Sequence, residues 1–194
     1  MTPRPFLASA FALFLCAAAP RVAFIPVAPG YARASDEYRR VWETDGPRIV
    51  EALERAAGVP FPAGRIDALV SEGRPMASYD GRTIRLRASY SPTYKKATLV
   101  HELGHRLAFT LPGRARIDDH RLLYLFLYDA WTDLYGREFA DRMVSIERRI
   151  GPAYEAAWAW ALAMSREEKQ ARLAALRAQA TASQTAPTSR PRLR

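Results

Sequence analysis

Residues 83–109 read TIRLRASYSPTYKKATLVHELGHRLAF. The hydrophobic period changes partway along, and that change decides the fold class. From Thr83 to Ala88 the pattern alternates. Ile84, Leu86 and Ala88 point one way and Thr83, Arg85 and Arg87 the other, as in a strand with one buried face. Asp80-Gly81 just before it is a turn signal. Ser91-Pro92 then opens a helix, with Ser as N-cap and Pro in the first turn, where its missing N–H costs nothing. This helix is expected to reach about Phe109. Leu99, Val100, Leu103 and Leu107 gather on one side of it, and His101 and His105 on the other. Gly104 costs about 1 kcal/mol of helix propensity relative to Ala. Either another segment approaches closely there, or the cost is simply tolerated.

Working outward, Arg65 to Val70 reads as a second strand. A first helix is expected from Asp45-Gly46-Pro47, with Ile49, Val50, Leu53 and Ala57 at helical spacing and Gly58 as its stop. Downstream, Pro112-Gly113 is a loop. Asp118 and Asp119 are N-cap candidates for a long helix that Gly136 closes. A third helix is expected from Arg137 to Ile150, stopped by Gly151-Pro152, and an Ala- and Trp-rich one follows. Ser165 with Glu168 forms a capping box for a last helix. Strands fall in the N-terminal half and helices alone in the C-terminal half. The expected class is α+β: a small antiparallel or mixed sheet with an edge strand, then the HELGH helix and a mostly helical remainder.

The 194 residues suffice for one domain with its own core. Arg4 and the apolar run Phe6 to Ala19, too short to span a bilayer, form a secretory signal pattern. Cleavage is expected after Ala19 or after Ala34. The second is preferred, because Ser35 opens a polar stretch. The expected organisation is therefore a signal at residues 1–34, a metallopeptidase-like domain at 35–180 and a disordered tail at 181–194. Export to the periplasm or the exterior follows, without stable membrane insertion after cleavage. Cys16, the only cysteine, lies in the signal, so any metal must be held by His, Asp or Glu. The formal net charge of +9 comes from arginine scattered among alanines and acids. That distribution reflects either the codon use of a GC-rich genome or attraction to an anionic substrate, cell wall or membrane surface; nucleic acid is not expected, since no basic stripe is interleaved with aromatics.

Four residues apart on a helix, His101 and His105 differ by only ~40° about the axis, so both imidazoles face one point. Glu102 sits beside them. A zinc ion held there would lower the pKa of a water towards ~7, and the carboxylate could take its proton. This motif, with the strand before it, resembles the zincin metallopeptidases over roughly residues 80–136. The resemblance implies Zn2+ as cofactor, His101 and His105 as ligands and Glu102 as general base. It also implies a peptide or protein substrate lying extended along an edge strand, here Thr83 to Ala88.

Such a zinc takes three protein ligands. His120 centres the apolar face of its helix: Trp131, Leu127, Tyr124, Leu134 and Leu123 all lie within ~60° of it. His120 is the expected third ligand, and its interval from the motif is similar to that of SprT-like zincins. Asp129, with Asp133 as helper, is the alternative. DAWTD imitates the gluzincin ExxxD spacing, and Thr132 to Gly136 weakly resembles the aspzincin signature. Asp118 or Asp119 could orient a ligating histidine, though both are better explained as caps. Tyr124 and Tyr94 are candidates for stabilising an oxyanion. The expected activity is peptide-bond hydrolysis, with Arg85 and Arg87 favouring acidic substrates. The alternatives are a non-catalytic zinc-binding scaffold of the cell envelope, or a peptidoglycan amide hydrolase using the same residues.

Overall fold

The computed structural model describes residues 20–111 and 117–185. Its elements are β1 (Arg21–Pro26), a short 3-10 turn (Pro29–Tyr31), α1 (Ala32–Ala57), β2 (Arg65–Ser71), β3 (Met76–Ala77) and β4 (Thr83–Arg87), followed by helices alone. These are α2 (Pro92–Ala108), α3 (Asp119–Tyr135), α4 (Arg137–Arg148), α5 (Pro152–Leu162) and α6 (Arg166–Thr185). The class is α+β, as the change of period implies.

The four strands form one mixed sheet in the order β1-β2-β4-β3. β1 and β2 are parallel, with α1 as their crossover, and β2 and β4 are parallel too. β3 and β4 are antiparallel, joined by a turn in which the Gly81 amide donates to Ser78 O at 3.0 Å. Gly81 has φ +67°, the left-handed region that glycine enters without steric cost. Ile84 and Leu86 of β4 are buried and Arg85 is exposed, as the alternation predicts. The expected edge strand needs correction, however. β4 pairs with β2 on one side and, at Ile84 and Arg85, with β3 on the other. The edge beside β4 is β3.

A second correction concerns the first helix. It starts at Ala32, not at Asp45, and Pro47 lies inside it. Ser35, Tyr38, Asp45, Ile49, Leu53 and Ala56 are buried along one face. The spacing is helical throughout, but polar Ser35 and Asp45 disguise it. Asp45 is no cap. Its Oδ2 accepts from Lys96 Nζ and from Tyr135 OH, both at 3.1 Å, which ties α1 to α2 and α3. Gly46 admits the Trp42 ring, which an added Cβ would meet at 2.9 Å. Gly58 closes the helix at φ +69°, as expected.

β1 and the start of α1 fall within the segment assigned to the signal. A cut after Ala34 would remove a whole strand, including buried Phe24. A cut after Ala19 would leave the sheet intact, and among the described residues the fold already includes residues 21–34, ahead of the expected start at Ser35. The apolar run before it lies outside the described residues, as does Pro112-Gly113. At the other end α6 runs to Thr185, past the expected boundary at Thr181, and residues 186–194 are outside the described part. Among the described residues no helix is long and apolar enough to cross a membrane.

The sheet packs on α1 and α2, and the helical half is built around α3. Leu122 to Leu127 are all buried, so α3 is enclosed on every side by α1, α2, α4, α5 and α6. α2 is likewise buried continuously from Ala97 to Ala108, not on one face alone. Gly104 permits this enclosure. A Cβ there would lie 2.6 Å from Leu123 Cδ1, so α3 approaches α2 at this point more closely than any other residue would allow. Ser165 and Glu168 form the expected capping box. The Ser165 amide donates to Glu168 Oε2 at 2.7 Å, and the Glu168 amide to Ser165 Oγ at 3.2 Å.

Candidate metal centre

α2 delivers His101 and His105 to one point from successive turns. Its N-terminus is capped by Ser91, whose Oγ accepts from the Tyr94 amide at 3.3 Å. His120 arrives from the first turn of α3. The Asp118 side chain accepts from the amides of His120 and Arg121, each at 3.1 Å, and so fixes where that turn begins. The close approach at Gly104 lies between His101 and His105 on one helix and one turn from His120 on the other. It brings the three rings together. One ligand nitrogen from each of His101, His105 and His120 lies within 4.8 Å of the others.

The inner geometry is tighter. His101 Nε2 and His105 Nε2 are 3.2 Å apart. Two nitrogens at ~2.0–2.1 Å from a tetrahedral zinc stand ~3.3 Å apart, so the spacing fits. Two facing lone pairs repel, and a proton or a cation must lie between them. His101 Nδ1 meets Glu147 Oε1 at 2.7 Å, which directs Nε2 into the cluster.

Glu147, on α4, is the residue that sequence reasoning missed. Its Oε2 accepts from Tyr124 OH and from Trp158 Nε1, both at 2.9 Å. A carboxylate 4% exposed is thus held by three donors from three other helices. The one signal was a Glu in the amphipathic α4, three residues after Val144, and it was indistinguishable from a surface residue. Asp118 and Asp119 do not orient a histidine. Asp118 is the α3 cap, and Asp119 Oδ2 accepts from Tyr79 OH at 2.7 Å. Tyr124 is fully buried behind His101, stacked on Trp158 at 3.7 Å, and does not face the cleft. The Tyr94 ring packs at a tilt against that of Tyr90, with centroids 4.3 Å apart, and Tyr94 is not among the cleft-lining residues. Neither expected oxyanion tyrosine is in place for that role.

Asp129 and Asp133 face away from the cluster. Lys169 Nζ pairs with Asp129 Oδ2 at 2.8 Å, and Arg166 holds Asp133 through both oxygens, at 3.1 and 2.8 Å. Their work is to clasp α6 onto α3. The structure brings His120 to the motif and leaves the two aspartates on the far side.

Burial gives the site its electrostatics. His105 is held well below its ordinary pKa, first by burial and then by its neighbours His101 and His120. His120 is lowered too, by burial and then by His101, against the opposing charges of Glu147, Asp118 and Asp119. Burial also opposes charge on His101, but the Glu147 carboxylate outweighs it and raises the pKa. Glu147 is lowered correspondingly: burial is overcome by His101, Tyr124 and Trp158. Glu102 is pushed up to about 7, chiefly by burial. Its Oε2 is buried with no hydrogen-bond partner among the described residues, as is Nδ1 of His105.

The cluster opens to solvent through a cleft of ≈ 470 Å³. His101, Glu102, His105 and His120 form part of its wall, with Met76 and Ala77 of β3, Tyr79, Phe109 and Tyr154. The donor set of three imidazoles, two of them disfavouring a proton, suits a borderline-soft divalent cation such as Zn2+. An unpartnered carboxylate beside such a set suits proton transfer. Comparison with known proteins returns no matching family model, no matching curated protein and no matching solved structure, so the likeness to zincins rests on the residues themselves.

Proposed function

We propose that this chain is a zinc-dependent peptidase. His101, His105 and His120 would hold the ion, and Glu102 would act as general base. The observation that carries the reading is the meeting of three imidazoles from two helices beside a buried carboxylate whose Oε2 has no partner, in the wall of an open cleft. Bound Zn2+ would supply Lewis acidity, lowering the pKa of water and polarising a carbonyl. The chain's own part is proton transfer and positioning. Glu102, whose Oε2 has no other partner, can take a proton from the attacking water and return it to the leaving amine. Glu147 keeps the proton of His101 on Nδ1 and its Nε2 free. A substrate in extended form has the edge of β3 beside the cleft to pair with, in place of β4.

An open cleft with three donors favours this reading over a non-catalytic scaffold, where a fourth protein ligand would close the site. An amide bond in peptidoglycan would meet the same groups, and substrate assays separate the two. Export is part of the proposal, with cleavage after Ala19.

The test is zinc content by elemental analysis, on wild type and on the His120→Ala and Asp129→Ala variants. One zinc per chain is expected, lost in His120→Ala and kept in Asp129→Ala. No zinc in the folded wild type after incubation with the metal would sink the proposal. Glu102→Gln should keep the metal while hydrolysis falls by at least ~10²-fold. Undiminished activity in that variant would remove Glu102 from the mechanism.

A further inference from the structure

Two arginines line the cleft that the hydrolytic chemistry does not use, Arg74 and Arg85. They are balanced differently from their neighbours. Arg87, next on the polar face of β4, meets Glu72 at 3.3 Å and lies outside the cleft. Arg85 is exposed on β4 and its guanidinium makes no ion pair among the described residues. Arg74 donates from Nη2 to Tyr154 OH at 2.9 Å, a neutral acceptor. The Tyr154 ring lies 4.4 Å from that of His120, so this guanidinium is tethered beside the histidine cluster. Arg74 also feels the charge of Glu102. Of the carboxylates on the cleft wall other than Glu102, Asp118 takes the α3 amides and Asp119 the Tyr79 hydroxyl.

A guanidinium with no carboxylate of its own presents a planar fork of donors that matches a carboxylate in two-point contact. Exposed Met76 and Tyr79 stand on the same wall, giving the aliphatic part of a side chain something to rest on. We propose that the cleft selects substrates carrying a carboxylate, which Arg74 and Arg85 receive beside the histidine cluster. The carboxylate belongs either to an acidic side chain near the bond to be cut or to the peptide's C-terminus. The proposal deepens the peptidase reading, but its binding half does not need hydrolysis. It also reassigns the expected acidic preference from Arg85 and Arg87 to Arg74 and Arg85.

The experiment uses three decapeptides of Ala and Ser, each labelled at the N-terminus with a neutral BODIPY dye that carries no free carboxylate. One has a central Glu and an amidated C-terminus, one a central Gln and the same amide, and one a central Gln and a free C-terminal acid. Affinity is read by fluorescence anisotropy at low salt, and cleavage by mass spectrometry. At least one acid-bearing peptide should bind about tenfold more tightly than the Gln amide. Which one does so identifies the source of the carboxylate. The advantage should shrink in Arg74→Gln and in Arg85→Gln, and Arg85→Glu should abolish it. Arg85 is exposed, so its variants keep the test available if Arg74→Gln does not fold. Equal affinity for all three peptides, or a preference unchanged in both Gln variants, overturns the proposal. Selective binding with no peptide cleaved would leave it standing and count against the peptidase reading. Cleavage without selectivity would do the reverse.

Discussion

Glu147 accepts three hydrogen bonds, and they divide cleanly between its oxygens. Oε1 meets His101 Nδ1; Oε2 meets Tyr124 OH and Trp158 Nε1. Glutamine can keep the contact to His101 or the two to Tyr124 and Trp158, but not all three, because an amide NH2 cannot accept. With its oxygen towards Tyr124 and Trp158, Glu147→Gln would set a donor against His101 Nδ1–H, or force that proton onto Nε2, and would lose the charge that His101 uses. The expected cost is about 2–4 kcal/mol of stability. Zinc affinity should fall a further ~10–100-fold, as for other lost partners of ligating histidines. A thermal melt and a competitive zinc titration measure the two effects. If zinc affinity is unchanged in a folded variant, Glu147 is only a core residue.

At the scale of elements, the contact between α2 and α3 governs the site. Gly104→Ala gains about 1 kcal/mol of helix propensity. Against this, its Cβ would stand 2.6 Å from Leu123 Cδ1, in a core that leaves Leu123 no exposed surface to retreat into. Overpacking of this kind costs ~1–3 kcal/mol, so a small net loss is expected. The larger effect should fall on zinc binding, since the clash pushes α3, and His120 with it, away from the pair on α2. Stability raised by the full propensity gain, with zinc affinity intact, would show that the close approach is incidental. A second element-scale contact responds to pH. Arg166 holds the Asp133 carboxyl below its ordinary range, against a smaller opposing effect of burial. The unfolded chain's Asp133 titrates at the ordinary value. The contribution is therefore fully present above that value and is lost as pH falls through the lower folded one. Acid melts of wild type and Asp133→Asn should differ near neutrality and converge at low pH. Curves that stay parallel throughout would contradict this.

For the whole molecule, the N-terminal strand is the part to test. β1 pairs with β2 from Arg21–Arg65 to Pro26–Val70 and buries Phe24 against the core. A chain beginning at Ser35 loses that ladder and exposes β2 as a new edge. Burial of one Phe alone is worth about 1.5–3 kcal/mol, and an open hydrophobic edge invites association. A chain beginning at Pro20 should melt cooperatively as a single species. The shorter chain should aggregate or melt at a clearly lower temperature, by calorimetry and size-exclusion chromatography. Equal behaviour would make β1 dispensable.

Local pattern determined the elements whose signal is carried by neighbours in the chain. The alternation at Thr83–Arg87, the Ser91-Pro92 cap, the Asp118 cap, the Gly58 and Gly136 stops and the Ser165–Glu168 box all act within a few residues, so sequence spacing alone reveals them. The i,i+4 placement of His101 and His105 is equally local, and the wheel of α3 pointed His120 inward before any partner was known. Tertiary structure decided what depends on distant partners. Asp45 inside α1 is tolerated because Lys96 and Tyr135 come to it. Asp129 and Asp133 are structural because α6 folds back over α3. β4 is interior because two residues of β3 close its outer side. Glu147 orients His101, 46 positions earlier in the chain, only because the fold brings the end of α4 to it. A buried charge is legible only with its partner, and here the partner lies far along the chain, where periodicity carries no information.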